Sequence, residues 1–247
     1  MSVLALPGFL AFFVVALVVG VRLVGLAART RQLPELLMGV GVLGIGPVGF
    51  GGIVAAMAVA PSSPGAARAL GAAATLAVAT GVAAKYVFYW RIYRPTSPVA
   101  AAACVAGIAG VALAVGLEGA ATGFSPLSWQ GAGWHVLRSG VQVGCLLWGA
   151  SEALVYWGKM RRRVRLGLAD PMLANRFLLW GIGAGAAGLG SAIGVVAQLA
   201  TGQPPLAQTW VTMSSSLHGL VSASALWLAF VPPLAYRRWI AGGAARS

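Results

Sequence analysis

The feature that most constrains this chain is a succession of apolar runs, each long enough to cross a hydrocarbon core of ~30 Å as a helix of about 20 residues. Such runs cover residues 4–27, 35–60, 69–91, 98–118, 134–158, 173–200 and 210–236. Only 9% of the residues are charged and 59% are hydrophobic, where a soluble domain carries about 25% charged residues. The expected fold is therefore an all-α integral membrane protein with seven transmembrane helices. The connections are too short to hold a soluble catalytic or effector domain, so residues 1–247 read as a single polytopic membrane domain. The first run lacks the positive leader and small-residue cleavage site of a secretory signal, and is expected to remain as the first span.

Seventeen basic residues face four acidic ones, a net charge of +13. Nucleic-acid binding would need a continuous solvated basic face, whereas these residues are scattered between apolar runs, and nucleic acid is excluded as a partner. The positive-inside rule accounts for them instead. Thirteen of the seventeen fall on one side, six of them in the loop carrying Lys159, Arg161, Arg162, Arg163, Arg165 and Arg176. This predicts an outside N-terminus, a cytoplasmic C-terminus and a multi-pass location in the inner (plasma) membrane. The same loop is expected to contact anionic lipid at the cytoplasmic face.

Ser97-Pro98 and Asp170-Pro171 each set a capping oxygen before a proline whose missing N–H costs a helix start nothing, and Pro34-Glu35 reads similarly. Cys104 and Cys145 lie inside apolar runs without a disulfide framework or zinc spacing, and read as small packing residues. In the sixth span Gly181-x-x-x-Gly185 and Gly190-x-x-x-Gly194 predict close backbone approach and a central position. The first three and last three spans run in the same senses about a lone fourth. Leu36-Leu37-Met38-Gly39-Val40-Gly41 is matched by Leu178-Leu179-Trp180-Gly181-Ile182-Gly183, which raises a 3+1+3 duplication of the kind found in transporters.

The stretch Arg163 to Pro171, followed by Asn175-Arg176-Phe177-Leu178-Leu179-Trp180, resembles a segment of uncharacterised bacterial seven-helix membrane proteins, some of them similar to receptor or sensor modules. Arg29 to Glu35 is a second such element. The resemblance spans about a tenth of the chain and implies no established ligand. Microbial rhodopsins carry retinal on a lysine of the seventh helix; this seventh span has none, which excludes a retinal Schiff base there.

Two candidate sites emerge. His135 precedes Trp157 by 22 residues and His218 precedes Tyr236 by 18, which puts both roughly 27 to 33 Å from the cytoplasmic boundary, differing by about 6 Å in depth. With Glu118, Arg138 and Ser215 they form an expected outer polar pocket for a polar ligand, a metal or haem. Arg22, Lys85 and Glu152 each lie six or seven residues before the basic end of their span. They are expected to form an inner-leaflet charge cluster, with Lys85 paired to Glu152 because a lone charge at that depth is costly.

Hydrolase motifs are absent and acids are few, so an enzyme is not expected. The preferred function is a non-enzymatic sensor or receptor-like bundle coupling the outer pocket to the basic loop. A small-solute transporter or channel with a 3+1+3 arrangement is the alternative, and a haem-binding membrane protein a further one. Metal and cofactor stay unknown at this stage, and a protein partner and a homo-oligomer stay open.

Overall fold

The computed structural model describes residues 6–126 and 133–244, and among them every regular element is a helix. In chain order these are α1 (Leu6–Thr30), α2 (Leu33–Leu43), α3 (Gly51–Val59), α4 (Pro64–Tyr93), α5 (Pro98–Thr122), α6 (Gly133–Arg165), α7 (Pro171–Thr201), α8 (Thr209–Phe230) and α9 (Leu234–Ala244). Five rods are long and apolar enough to cross a membrane: α1, the α2–α3 rod, α4, α5 and α7. A sixth is added if α8 and α9 are counted together. The fold is thus all-helical with the character of a multi-pass membrane protein. The rod that falls short of the expected seven is α6, 33 residues long but carrying Arg138, Glu152 and the basic run Lys159 to Arg165.

Local chemistry sets the boundaries. Ser97 Oγ accepts from the Ala100 N–H at 3.2 Å and Asp170 Oδ1 from the Met172 N–H at 2.9 Å, with Pro98 and Pro171 opening α5 and α7. The third expected start differs: α2 begins at Leu33 without a side-chain cap, and the Glu35 carboxylate instead accepts from the Thr30 hydroxyl across the turn from α1. Pro47 has no N–H to give and would clash with the preceding turn of an α-helix. The chain around it, Gly44–Phe50, widens into π-helix and joins α2 to α3 as one rod. The expected last span ends early. Pro232 and Pro233 stop α8 at Phe230, and α9 leaves at 81°.

The rods pack in sequence as a closed ring, α8 returning against α1. Where α8 meets α1, the Gly8 N–H donates to Ser216 Oγ at 3.2 Å, and a Cβ at Gly8 would overlap the Ser216 backbone. Backbones also meet where the π turn crosses α4: a Cβ on Gly44 would lie 2.5 Å from the Ala77 carbonyl oxygen, and one on Gly81 2.8 Å from the Ile45 nitrogen. The glycines of α7 divide. Gly181 seats Leu154 of α6 and Gly190 seats His218 of α8, while Gly185 and Gly194 have ordinary spacing to their neighbours. α7 is held between α6 and α8, as one member of the ring and not at the expected central position, and its close glycines seat side chains, not backbones.

Leucines and valines such as Leu10, Val105, Leu189 and Leu199 are exposed around the ring. An apolar belt of this kind is a liability in water and suits lipid. Both cysteines are free and buried, and Cys145 Sγ lies 3.7 Å from the Val82 carbonyl oxygen it faces. Behind the direct contact of α4 with α6, α5 packs on both and stays outside the ring's interior. Two triplets, α1 with α2–α4 and α6 with α7–α8, thus meet across two seams.

Candidate functional site

Between the triplets lies a cavity of about 540 Å³. On α6 its lining residues are His135, Arg138, Ser139, Gln142, Leu146, Gly149 and Ala153, one face of a helix. From first to last they extend roughly 27 Å along the axis. Small residues of α7, among them Gly183, Ala187, Gly190 and Ser191, form the wall opposite Phe12, Ile45 and Phe50. Among the described residues none that lines the cavity is acidic.

At the end away from the basic loops, the Arg138 guanidinium pairs with Glu118, and both side chains are almost fully buried. Thr75 bridges them, accepting from Arg138 Nη1 at 3.3 Å and donating to Glu118 Oε1 at 3.4 Å. His135 Nδ1 lies 2.8 Å from Gln198 Oε1. His218 Nδ1 is 2.7 Å from the Ser214 carbonyl oxygen of its own helix, a contact in which Nδ1 donates.

The structure brings His135, His218, Arg138 and Ser215 to one cavity and sets Glu118 behind Arg138 rather than on the wall. The expected level of the histidines needs correction. His135 meets α7 at Gln198 and His218 meets it at Gly190, an offset of roughly 12 Å along the axis instead of 6 Å. The expected depth of His218 counts back from Tyr236, but the proline break ends the straight helix at Phe230. Among the described residues no group of three or more His, Cys, Asp or Glu side chains is placed to hold a metal ion.

At the other end the cavity closes on aromatic rings. Tyr89 stacks on Tyr93 at 6.3 Å, Tyr93 meets Tyr156 at 4.9 Å, and contacts continue through Phe177 and Trp180 to Phe230 at 5.6 to 5.8 Å. This ladder joins α4, α6, α7 and α8 just inside the basic loops. Tyr86 adds a cross-brace, donating to the Val141 carbonyl at 3.0 Å.

The inner charge cluster does not form. Glu152 pairs with Arg94 at 2.9 Å, not with Lys85, and also accepts from Trp148 Nε1 at 3.3 Å. Arg22 is exposed, and its guanidinium reaches the Phe230 carbonyl oxygen at 3.4 Å. Helix rotation decides the outcome: Lys85 shares a face with Val78, Tyr89 and Tyr93 and lines the cavity, while Glu152 sits one residue off the cavity-facing stripe of α6. The basic residues Lys159, Arg161, Arg162, Arg163, Arg165 and Arg176 are all exposed, with Lys159 over the Tyr156 ring at 5.0 Å and Arg161 over Trp157 at 5.7 Å.

Sequence reasoning missed Gln198, Thr75 and Gln142 as site residues. Their signal was available, since each is a polar side chain inside an otherwise apolar run. No known protein family, curated protein or solved structure matches this chain. The fold and the cavity therefore define the class: an all-helical, multi-pass membrane protein with an internal chamber.

Proposed function

We propose that the protein is a non-enzymatic, seven-span receptor or sensor of the plasma membrane, N-terminus outside and C-terminus cytoplasmic. It binds a small, largely apolar molecule in its central cavity and passes that occupancy to the basic cytoplasmic face. One observation carries this reading: the cavity runs between helices for most of a bilayer's thickness and stops on an aromatic ladder that ties four helices together. A ligand touching Tyr89, Tyr93 or Trp180 biases a packed element that borders the Lys159–Arg165 segment, which is the kind of contact a coupling free energy requires. Exposed cations on that segment suit anionic headgroups.

A second reading, a small-solute transporter, draws on the two triplets about a peripheral α5, with the cavity at their seam. Uptake into sealed proteoliposomes separates the two. Ligand-dependent change in Trp180 fluorescence and in a spin label at Arg163→Cys, with no saturable flux of the same ligand, is the outcome expected of a receptor. Saturable flux would overturn it in favour of transport. Topology is tested with Ser2→Cys and Ala245→Cys, against a background of two buried native thiols. An impermeant maleimide should label the first in intact cells and spare the second.

A further inference from the structure

Lys85 is 8% exposed, lines the cavity, and makes no hydrogen bond or ion pair among the described residues. An ammonium set in a largely apolar wall without a protein partner is costly, and the four acidic residues of the sequence do not relieve it. Glu118 is held by Arg138, Glu152 by Arg94 and Glu35 by Thr30, while Asp170 caps α7 at the loop. Nor is Lys85 there by default. Its stem lies in a notch at Gly41 on the α2–α3 rod, where a Cβ would come 2.7 Å from Lys85 Cγ and 3.3 Å from Cε. One and two turns further along the same face, Tyr89 and Tyr93 line the cavity with hydroxyls that make no hydrogen bond among the described residues. The wall near Lys85 therefore offers hydroxyl donors and positive charge that no carboxylate hydrogen-bonds or ion-pairs among the described residues, Glu152 beside Tyr93 being held by Arg94.

The rest of the chamber is mostly apolar, with polar side chains such as Ser139, Gln142 and His218 set into the α6 and α8 walls. Cys145 of α6 lies against Val82, one turn from Lys85, and marks the lysine's level on that helix. From Cys145 to His135 is ten residues, roughly 15 Å of cavity, enough for an extended chain of about a dozen carbons. Phe12, Ile45 and Phe50 of α1 and the α2–α3 rod line the cavity, and Ser139 and Gln142 line this length from α6.

We propose that Lys85 is the anchor for an anionic amphiphile: a single-chain carboxylate, such as a fatty acid, whose headgroup meets the Lys85 ammonium and whose chain fills the apolar length of the cavity. This rests on the reading of the cavity as a ligand site and adds to it the charge and shape of the ligand. A charge-assisted hydrogen bond in so apolar a setting favours the acid over an uncharged analogue by about tenfold or more.

The test uses the full chain in phosphatidylcholine nanodiscs, with empty nanodiscs as the blank and mildly alkaline buffer to keep the acid ionised. Binding of dodecanoate, dodecanol and dodecylamine is followed by native mass spectrometry and tryptophan fluorescence. Dodecanoate should bind about tenfold or more tighter than dodecanol, with dodecylamine weakest. Lys85→Met should remove the acid's advantage and leave dodecanol binding in place; should that variant fail to fold, the acid-to-alcohol ratio on the native protein decides alone. Equal binding of acid and alcohol by the native chain, or an unchanged ratio in folded Lys85→Met, overturns the anchor while sparing the cavity as an apolar site. No binding of any of the three overturns both.

Discussion

The two ends of the cavity bury carboxylates in opposite ways. At the end away from the basic loops, Glu118 and its partner Arg138 are 4% and 6% exposed, and Thr75 closes a three-member network. At the aromatic end Glu152 is buried to a similar degree, but Arg94 is 52% exposed, and Glu152 Oε2 is left without a hydrogen-bond partner. The first pair is closed off from solvent and must satisfy itself. The second borrows water for its cation and rigidity from the rings around it. Polar bracing and aromatic bracing are thus separated by the length of the cavity, and each can be disturbed without the other.

The sharpest break is at Arg138. Arg138→Met leaves Glu118 buried without its cation, and should cost about 3 to 5 kcal/mol in unfolding from bicelles, the scale for orphaning one member of a buried pair. Adding Glu118→Gln should recover most of that loss, because an apolar or neutral replacement of both members is often near neutral. A loss below about 1 kcal/mol for the single variant would mean that water reaches this end, and the contrast between the ends would fall.

A smaller effect is expected from crowding the aromatic end. Gly149 of α6 faces the Tyr89 ring, and a Cβ there would overlap it. Gly149→Ala should destabilise by about 1 to 3 kcal/mol, the usual cost of overpacking. Near-ultraviolet circular dichroism should register the displaced tyrosine, and the Arg138→Met effect should add to this one independently, since the sites share no partner. Strong coupling in the double variant would show that the two ends are one unit.

How much of this was legible in the sequence follows from what each signal depends on. Apolar runs and Ser-Pro or Asp-Pro starts are local, and α5 and α7 begin where they indicate. The proline pair at Pro232-Pro233 is an equally local signal, and a span that runs through it to Tyr236 misplaces the depth of His218, because the straight helix ends at Phe230. Which side of a helix faces inward was not legible, because α4 is apolar around much of its girth. Lys85 and Glu152 share a depth, yet the α4 face that holds Lys85 turns it into the cavity, and the chain just past α4 delivers Arg94 to Glu152. His135, His218 and Arg138 could be assigned to one interior from their position alone; Gln198, which holds His135, needed the packing of α6 on α7 to be seen.

The mildest probe of the contrast is Arg94, whose exposure limits what its removal can do. A half-exposed ion pair is worth on the order of 1 kcal/mol or less and is weakened by salt, while a fully buried one is screened little. Arg94→Ala should therefore cost about 1 kcal/mol at low ionic strength, more than a surface pair because Glu152 itself is buried, and the cost should shrink as salt is raised. The Arg138→Met cost should stay level across the same series. Arg94→Lys separates charge from shape: the 2.9 Å contact is made by Arg94 Nε, and a lysine restores the charge without the planar fork, so it should recover only part of the loss. If Arg94→Ala proves as costly as Arg138→Met and as indifferent to salt, then lipid rather than water surrounds Arg94, and the boundary of the membrane lies beyond it.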